Sequence, residues 1–149
     1  AGIFLGILLV MGSGGLGWLM VQTARGFYPL LGIALESILL ASCFAGKSLR
    51  NAAEDVLKPL TAGDLAQARS TLSHYVGRDT ENLSEAEILR AVFETVTENS
   101  TDGVMAPLFY AIAGAFLPPV GSIPLTLAYK AASTLDSMVG YREEPYTYI

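Results

Sequence analysis

Charged residues are scarce in this sequence, at 15% of 149 positions, against about 25% in an average soluble domain. Cys43 and His74 are each the only residue of their kind. A lone cysteine excludes an internal disulfide and a two-cysteine zinc motif. No GxxxxGK segment precedes a Ser or Thr, so a P-loop nucleotide site is not supported. The net charge of −5, with no basic patch, leads us to expect no nucleic-acid partner.

The few charges are unevenly placed. Residues 1–24 carry none, and a helix of that length covers the roughly 30 Å of a bilayer's hydrocarbon core. A second apolar stretch runs from Pro29 to about Gly46 and holds one charge, Glu36. We therefore predict a transmembrane hairpin over 1–46, whose glycines allow close packing against another span. Glu36 has a functional or pairing role, or else is protonated or hydrogen-bonded inside the bundle.

Residues 47–103 hold most of the charged side chains, which predicts a solvated helical region. Three helices are expected: about 47–57, ending before Pro59; about 63–76; and a third that begins at a Ser84-x-x-Glu87 capping box. Lys and Arg are concentrated just after the second span, so the positive-inside rule places this region in the cytoplasm.

The remaining residues, 104–149, are again mainly apolar. The first piece is short and contains Pro107, which predicts a kinked or re-entrant segment or a full crossing. The second piece carries Lys130 and Asp136 in apolar surroundings, where each must find a partner or line a cavity. The expected fold is therefore an all-α polytopic integral membrane protein with a cytoplasmic helical segment.

Two polar clusters are candidates for chemistry. Glu94, Glu98 and Asp102 are spaced by four, so in a continuous helix their carboxylates share one face, where Mg²⁺ would relieve their repulsion. A solvated acidic face is the alternative. The second cluster is Gly77-Arg78-Asp79-Thr80, which also fits a simple helix connection with a capping residue and a solvated arginine.

Three longer motifs, in order, carry a resemblance to a known family: "GRDTENL" at 77–83, "ENSTDGVMAPLFYAI" at 98–112 and "LAYKAASTLDSMVGYREEPY" at 127–146. Together they resemble the adenosylcobinamide-phosphate synthase family, membrane enzymes of cobalamin assembly. Ser133 stands where that family usually has asparagine. Because family chains are about twice as long, we expect this sequence to be part of a longer protein.

The resemblance implies an ATP- and Mg²⁺-dependent ligase that attaches aminopropanol, or its O-phosphate, to a propionate carboxylate of adenosylcobyric acid. It implies catalytic roles for Arg78, Asp79, Lys130 and Asp136, and metal binding by Glu94, Glu98 and Asp102. It also implies contacts with substrate or ATP by Thr80, Asn99, Thr101, Gly103, Thr134, Ser137 and Tyr141.

The same resemblance implies a bacterial inner-membrane protein whose active side faces the cytoplasm. Its expected partners are the lipid bilayer, the corrinoid and aminopropanol substrates, and other enzymes of cobalamin assembly. Two alternatives belong to other classes. One is a non-enzymatic membrane sensor or partner protein, and the other is a transporter-like bundle for a corrinoid or amine, with Glu36 and Lys130 as binding groups.

Overall fold

A computed structural model describes residues 2–139, which form helices joined by turns and contain no strand. The predicted all-α class is confirmed. The helices are α1 (Gly2–Phe27), α2 (Pro29–Cys43), α3 (Gly46–Thr61), α4 (Leu65–Leu72), α5 (Glu85–Ser100), a π-helical turn (Thr101–Met105), α6 (Ala106–Ala115) and α7 (Ser122–Val139). Within the described residues, 2–44 and 105–139 form one compact unit and 45–104 form a second.

In the first unit, α1 packs closely against α7 through small residues. A Cβ atom on Gly14 would lie 2.7 Å from the carbonyl oxygen of Pro124, and one on Gly17 would collide with the side chains of Ile123 and Leu127. Real Cβ contacts are essentially never that short, so glycine is needed at position 14, where the contact is with backbone, whereas at position 17 the facing side chains would have to shift. The expected use of the α1 glycines in helix packing is confirmed at these two positions.

The hairpin between α1 and α2 turns at Tyr28, and Pro29 opens α2, where a missing N–H costs nothing. Arg25, near the end of α1, forms an ion pair with Glu36, one turn beyond Gly32 on α2. Of the roles considered for Glu36, the structure therefore supports pairing with a cation. A paired carboxylate is the arrangement expected of an acid in apolar surroundings.

Two stretches are long and apolar enough to cross a membrane. They are Gly2–Phe27, which is α1, and Pro29–Thr61, whose apolar part is α2. By contrast, α6 has 10 residues, or about 15 Å at 1.5 Å per residue, which is half of a bilayer's hydrocarbon thickness.

Residues 12–17 read G-x-G-x-x-G, which is the spacing of a dinucleotide-binding turn between a strand and a helix. All six residues lie inside α1, so they form no such turn.

The second unit is a three-helix cluster with its own apolar core. The buried residues come from all three helices and comprise Val56 and Leu60 of α3, Ala68 and Leu72 of α4, and Ile88, Ala91 and Val92 of α5. Their spacing of three or four within each helix is the pattern expected of an amphipathic helix.

Two predicted helix boundaries in this unit are wrong. The helix that we expected to end before Pro59 continues to Thr61, because Leu60 is buried with Val56 and this burial offsets the one backbone hydrogen bond that proline removes. The helix expected over about 63–76 ends at Leu72. Beyond it the chain turns, and the Tyr75 hydroxyl donates to Asp55 at 3.1 Å.

The capping box of α5 is confirmed. The backbone N–H of Glu87 donates to the Ser84 hydroxyl oxygen at 3.4 Å, and the Ser84 backbone N–H donates to the Glu87 carboxylate at 2.7 Å. One face of α5 is buried through Ile88 and Val92, whereas Phe93 is 72% exposed. The capping box therefore fixes the beginning of the helix that carries Glu94, Glu98 and Asn99.

The π-helical turn after α5 has a local cause. Pro107 has no N–H, so the carbonyl of Gly103, four residues earlier, lacks its α-helical donor. That carbonyl instead accepts the backbone N–H of Ala45 at 2.8 Å. A Cβ on Gly103 would meet the Ala45 side chain at 2.8 Å, so glycine permits the contact. Pro107 was predicted to kink this segment, and the structure shows a π-helical turn immediately before it.

Candidate functional site

The site begins at the connection between α4 and α5, which carries the Gly77–Thr80 motif. Arg78 projects across to α5, where its Nη2 donates to Glu94 Oε2 at 3.0 Å. It is about half exposed. The alternative of a freely solvated Arg78 is therefore not what the structure shows, because the side chain is tethered to a carboxylate 16 residues along the chain.

Glu94 is held by two arginines. Arg90 Nε donates to Glu94 Oε1 at 2.7 Å, while Arg78 takes the other oxygen. The hydrogen bond from Arg90, and after it the one from Arg78, hold the pKa of the Glu94 carboxyl below its usual range. Glu94 is consequently an ionised anchor that orients Arg78.

Four of the residues singled out from the sequence line one open groove of about 430 Å³: Arg78, Glu94, Glu98 and Asn99. We call it the Arg78 groove; its other lining residues are Tyr75, Val76, Gly77 and Thr95. The Asn99 amide nitrogen donates to the Thr95 carbonyl at 2.8 Å, which fixes that side chain on α5. The groove therefore places a guanidinium, two carboxylates and an amide oxygen around a solvent-accessible space.

Asp79 and Thr80 lie in the same connection, but their contacts are mainly structural. Asp79 Oδ1 accepts the backbone N–H of Glu81 at 2.9 Å, a local turn. Thr80 is buried, and its hydroxyl donates to the Arg69 carbonyl at 3.0 Å. Neither residue is the α5 cap, since Ser84 has that role. Both residues line a second cavity with Arg78, on the α4 side of the connection.

A metal site made by Glu94, Glu98 and Asp102 together is not supported. Among residues 2–139, no three His, Cys, Asp or Glu side chains lie close enough to share a metal ion. Glu94 is already neutralised by two arginines, and the π-helical turn that begins at Thr101 breaks the four-residue register to Asp102. Mg²⁺ needs only one or two protein carboxylates when phosphate oxygens complete its shell. Glu98, exposed and with no ion pair in the described part of the chain, fits that smaller role.

The other residues of the "ENSTDG" motif do not line the Arg78 groove. Thr101 and Asp102 are exposed on the π-helical turn, and Gly103 is buried against Ala45. The structure thus gives Gly103 a packing role, and its expected contact with substrate stays a prediction.

The remaining predicted residues lie on α7, in the first compact unit. Lys130 is partly buried and Asp136 is exposed. The hydroxyls of Thr134 and Ser137 donate to the carbonyls of Lys130 and Ser133, at 2.8 and 3.0 Å, so each bonds to its own helix. Tyr141 lies outside the described residues.

Two contributors to the groove were missed from the sequence. Arg90 lies four residues before Glu94, a spacing at which opposite charges pair on a helix, so this signal was available. Tyr75 lines the groove after α4 has ended. The predicted helix over about 63–76 would have included Tyr75, but α4 ends at Leu72, so Tyr75 lies in the connection that borders the groove.

Sequence comparison with known proteins identifies the family of this chain. The model of the family described as "CobD/Cbib protein" matches residues 1–149. The chain belongs to this family. The cobalamin biosynthesis protein CobD of Synechocystis sp. is 58% identical over 98% of the chain. Those of Klebsiella pneumoniae and Halalkalibacterium halodurans are 46% and 49% identical over 93% and 87% of it. No solved structure matches the chain significantly.

The CobD/Cbib assignment confirms the resemblance inferred from the motifs, and these relatives are named as cobalamin biosynthesis proteins. The chain spans 43% of the Synechocystis relative and 37% of the Halalkalibacterium one. Within this part of the family sequence, the Arg78 groove brings together Arg78 of the first motif with Glu98 and Asn99 of the second.

Proposed function

We propose that this chain is part of an ATP-dependent ligase that joins aminopropanol, or its O-phosphate, to the propionate carboxylate of adenosylcobyric acid. Family membership supports the pathway, and one structural observation supports the chemistry: Arg78, Glu94, Glu98 and Asn99 line a single groove. Amide formation from a carboxylate requires activation, because the carboxylate itself is a poor acyl donor. In the proposed reaction the carboxylate oxygen attacks the terminal phosphorus of ATP and ADP leaves. The amine then attacks the acyl carbon and phosphate leaves.

Arg78 is the residue that we propose to contact the transferred phosphoryl group. Its guanidinium presents five N–H donors, of which one donates to Glu94, so the others remain for phosphate oxygens. Glu94 stays ionised because of its arginine partners and holds Arg78 in place. Such preorganised charge is the main contribution that a protein makes to phosphoryl transfer.

Glu98 and Asn99 are the proposed contacts for a nucleotide-bound Mg²⁺. The ion supplies charge neutralisation on the phosphates. The Asn99 amide nitrogen is occupied by the Thr95 carbonyl, which leaves its oxygen available as a ligand. From the family resemblance, Lys130 is proposed to contact phosphate or the transferred group. Asp79 and Asp136 are proposed to orient the cations or to deprotonate the attacking ammonium.

We also propose that the protein is an integral protein of the bacterial plasma membrane. The support is the apolar length of α1 and of the stretch that contains α2. Residues 45–104 are proposed to face the cytoplasm, since Lys47, Arg50 and Lys58 follow α2 whereas Arg25 is alone in the hairpin turn. The transporter alternative loses one of its binding groups, because Glu36 is already paired with Arg25.

An activity assay on the full-length protein in detergent tests this proposal. Adenosylcobyric acid, ATP and Mg²⁺ are supplied with either aminopropanol or its O-phosphate, and the amide product and ADP are quantified by mass spectrometry. We expect one ADP per amide. Arg78→Ala should lower kcat/KM by about 100-fold, as found when one donor to developing charge is removed. Arg50→Ala, which removes an exposed arginine paired with Glu54 on α3, is the matched control and should retain activity. A folded protein that makes no amide with either amine, or an Arg78→Ala variant as active as the parent, would refute the proposal.

A further inference from the structure

The second cavity beside the Arg78 groove contains an arginine without a carboxylate partner. This Arg69 cavity has a volume of about 510 Å³ and lies between α4 and the connection to α5. Its polar lining includes Arg69, Ser70 and Ser73 from α4 and Arg78, Asp79 and Thr80 from the connection. We propose that it binds a monophosphate group, with Arg69 as the principal cation. The proposal rests on the proposed function only in the choice of organic phosphates as probes.

Arg69 has unused hydrogen-bonding capacity. Its Nε donates to the Leu83 carbonyl at 2.7 Å, and the residue is partly buried. A guanidinium has five N–H donors, and within residues 2–139 no protein acceptor or carboxylate takes the remaining four on the Nη atoms. No buried side-chain nitrogen or oxygen lacks a partner in the described part of the chain, so these Nη donors are accessible from the cavity. Their planar arrangement matches the oxygens of a phosphate.

Arg69 is also held in place before any ligand arrives. Its side chain is tied to Leu83, and its carbonyl accepts the hydroxyl of the buried Thr80 at 3.0 Å. These two contacts fix both the backbone and the side chain of Arg69 against the connecting loop. A preformed donor loses less conformational entropy on binding than a free surface arginine does.

The remaining charges limit the size of the anion. Asp79 and Glu81 also line the cavity, and Asp79 is engaged by the Glu81 backbone N–H. Because Arg78 is already paired with Glu94, the two carboxylates outnumber the one remaining cation, Arg69. The resulting net repulsion is larger for a polyphosphate than for a single phosphate group. A compact monophosphate, which needs one strong cation and a hydroxyl donor such as Ser70, therefore fits better than ATP. Its source is either inorganic phosphate or a phosphorylated amine.

The test is equilibrium binding to the full-length protein in detergent, measured separately for inorganic phosphate, aminopropanol phosphate and ATP. Arg69→Gln is compared with Arg50→Gln, a control that removes the same charge from an exposed site on α3. We expect Arg69→Gln to raise the Kd of a monophosphate roughly tenfold, the loss of one charge-assisted contact. Arg50→Gln should leave this Kd unchanged, and neither variant should alter ATP binding.

A second variant covers the case in which Arg69→Gln fails to fold. Ser70→Asp keeps Arg69 and its bond to Leu83 but places another carboxylate in the cavity, so it should also weaken monophosphate binding. Tighter binding of one monophosphate identifies the source of the ligand. No monophosphate binding by the parent protein, equal effects of Arg69→Gln and Arg50→Gln, or an equal loss of ATP affinity would overturn the proposal. The measurement needs no corrinoid, so a failure of amide synthesis would not be confused with a failure of this site.

Discussion

At the scale of single residues, the site depends on Glu94, which forms ion pairs with two arginines from different parts of the chain. Arg90 belongs to the same helix, at a spacing fixed by helix geometry, whereas Arg78 comes from the preceding connection. All three side chains are substantially exposed, so the pairs contribute little to global stability. Their main consequence is positional, because they keep a guanidinium at the rim of the Arg78 groove.

The pairing of Glu94 predicts a pH dependence. Its folded-state pKa is lowered from an ordinary value of 4.5, so the ionised form stabilises the fold above that pH. This stabilisation is lost as the pH falls through the lowered value. Glu94→Gln should therefore reduce the midpoint of thermal unfolding slightly at pH 7 and have no effect near pH 2, where both proteins are uncharged at this position. Circular dichroism across this range measures it.

Glu98→Gln is the matched control for this prediction. Glu98 lies one turn further along α5 and has no ion pair in the described part of the chain. Its substitution should not give the same loss at neutral pH. A difference between Glu94→Gln and the parent that is as large at pH 2 as at pH 7 would contradict the assigned role of the arginine pairs.

At the scale of elements, α1 is specified by two kinds of residue. Most of its large apolar side chains, such as Leu8 and Leu19, are exposed in the described part of the chain. Gly14 and Gly17 form the contact with α7. Polar support comes from Ser13, whose hydroxyl donates to the Val10 carbonyl at 2.9 Å and to the Leu127 carbonyl at 3.3 Å. Close backbone approach is how helices associate when surrounding lipid is as apolar as their side chains.

This packing predicts that two neighbouring glycines differ in their tolerance of alanine. Gly14→Ala places a methyl group 2.7 Å from the Pro124 carbonyl oxygen, whereas Gly15→Ala meets nothing within 4 Å. Gly14→Ala should cost about 1–3 kcal/mol through overpacking. Gly15→Ala should be neutral or stabilising, because alanine has the higher helix propensity. Unfolding of the detergent-solubilised protein measures both. Equal effects of the two variants would show that α1 does not pack on α7 in this way.

At the scale of the whole molecule, the chain alternates between apolar and polar parts. Residues 2–44 and 105–139 form one unit, and the polar segment between them forms the other. Each unit has contacts of its own, α1 with α7 in the first and the α3, α4 and α5 core in the second. This division fits a membrane-embedded part and a solvated part.

The division predicts the side from which each part is accessible. In a Cys43→Ala background, a cysteine at the exposed Thr61 should react with a membrane-impermeant maleimide only in inverted membrane vesicles. A cysteine at Tyr28, in the hairpin turn, should react in intact cells. Labelling in the opposite pattern would reverse the proposed orientation, and labelling of both sites from one side would exclude a membrane crossing by α2.

Much of the helical structure could be predicted from local sequence. The length of the two apolar stretches identifies α1 and α2, and the Ser84 capping box places the beginning of α5, since both signals lie within the segment that forms the helix. Family membership also follows from sequence, because the motifs are long and occur in order. Predictions failed where a distant contact overrides a local preference. Burial of Leu60 carries α3 past Pro59, and the turn after Leu72 leaves Tyr75 outside a helix.

The sequence by itself therefore determined the helical class, the separation of apolar from polar segments, and which side chains are candidates for chemistry. Only the tertiary structure decided which candidates meet. It joins Arg78 to Glu94 and brings Glu98 and Asn99 to the same groove, while the π-helical turn takes Asp102 out of their register. The reason is physical: helix formation depends on neighbours three or four residues apart, whereas a site between elements depends on packing that no local pattern encodes.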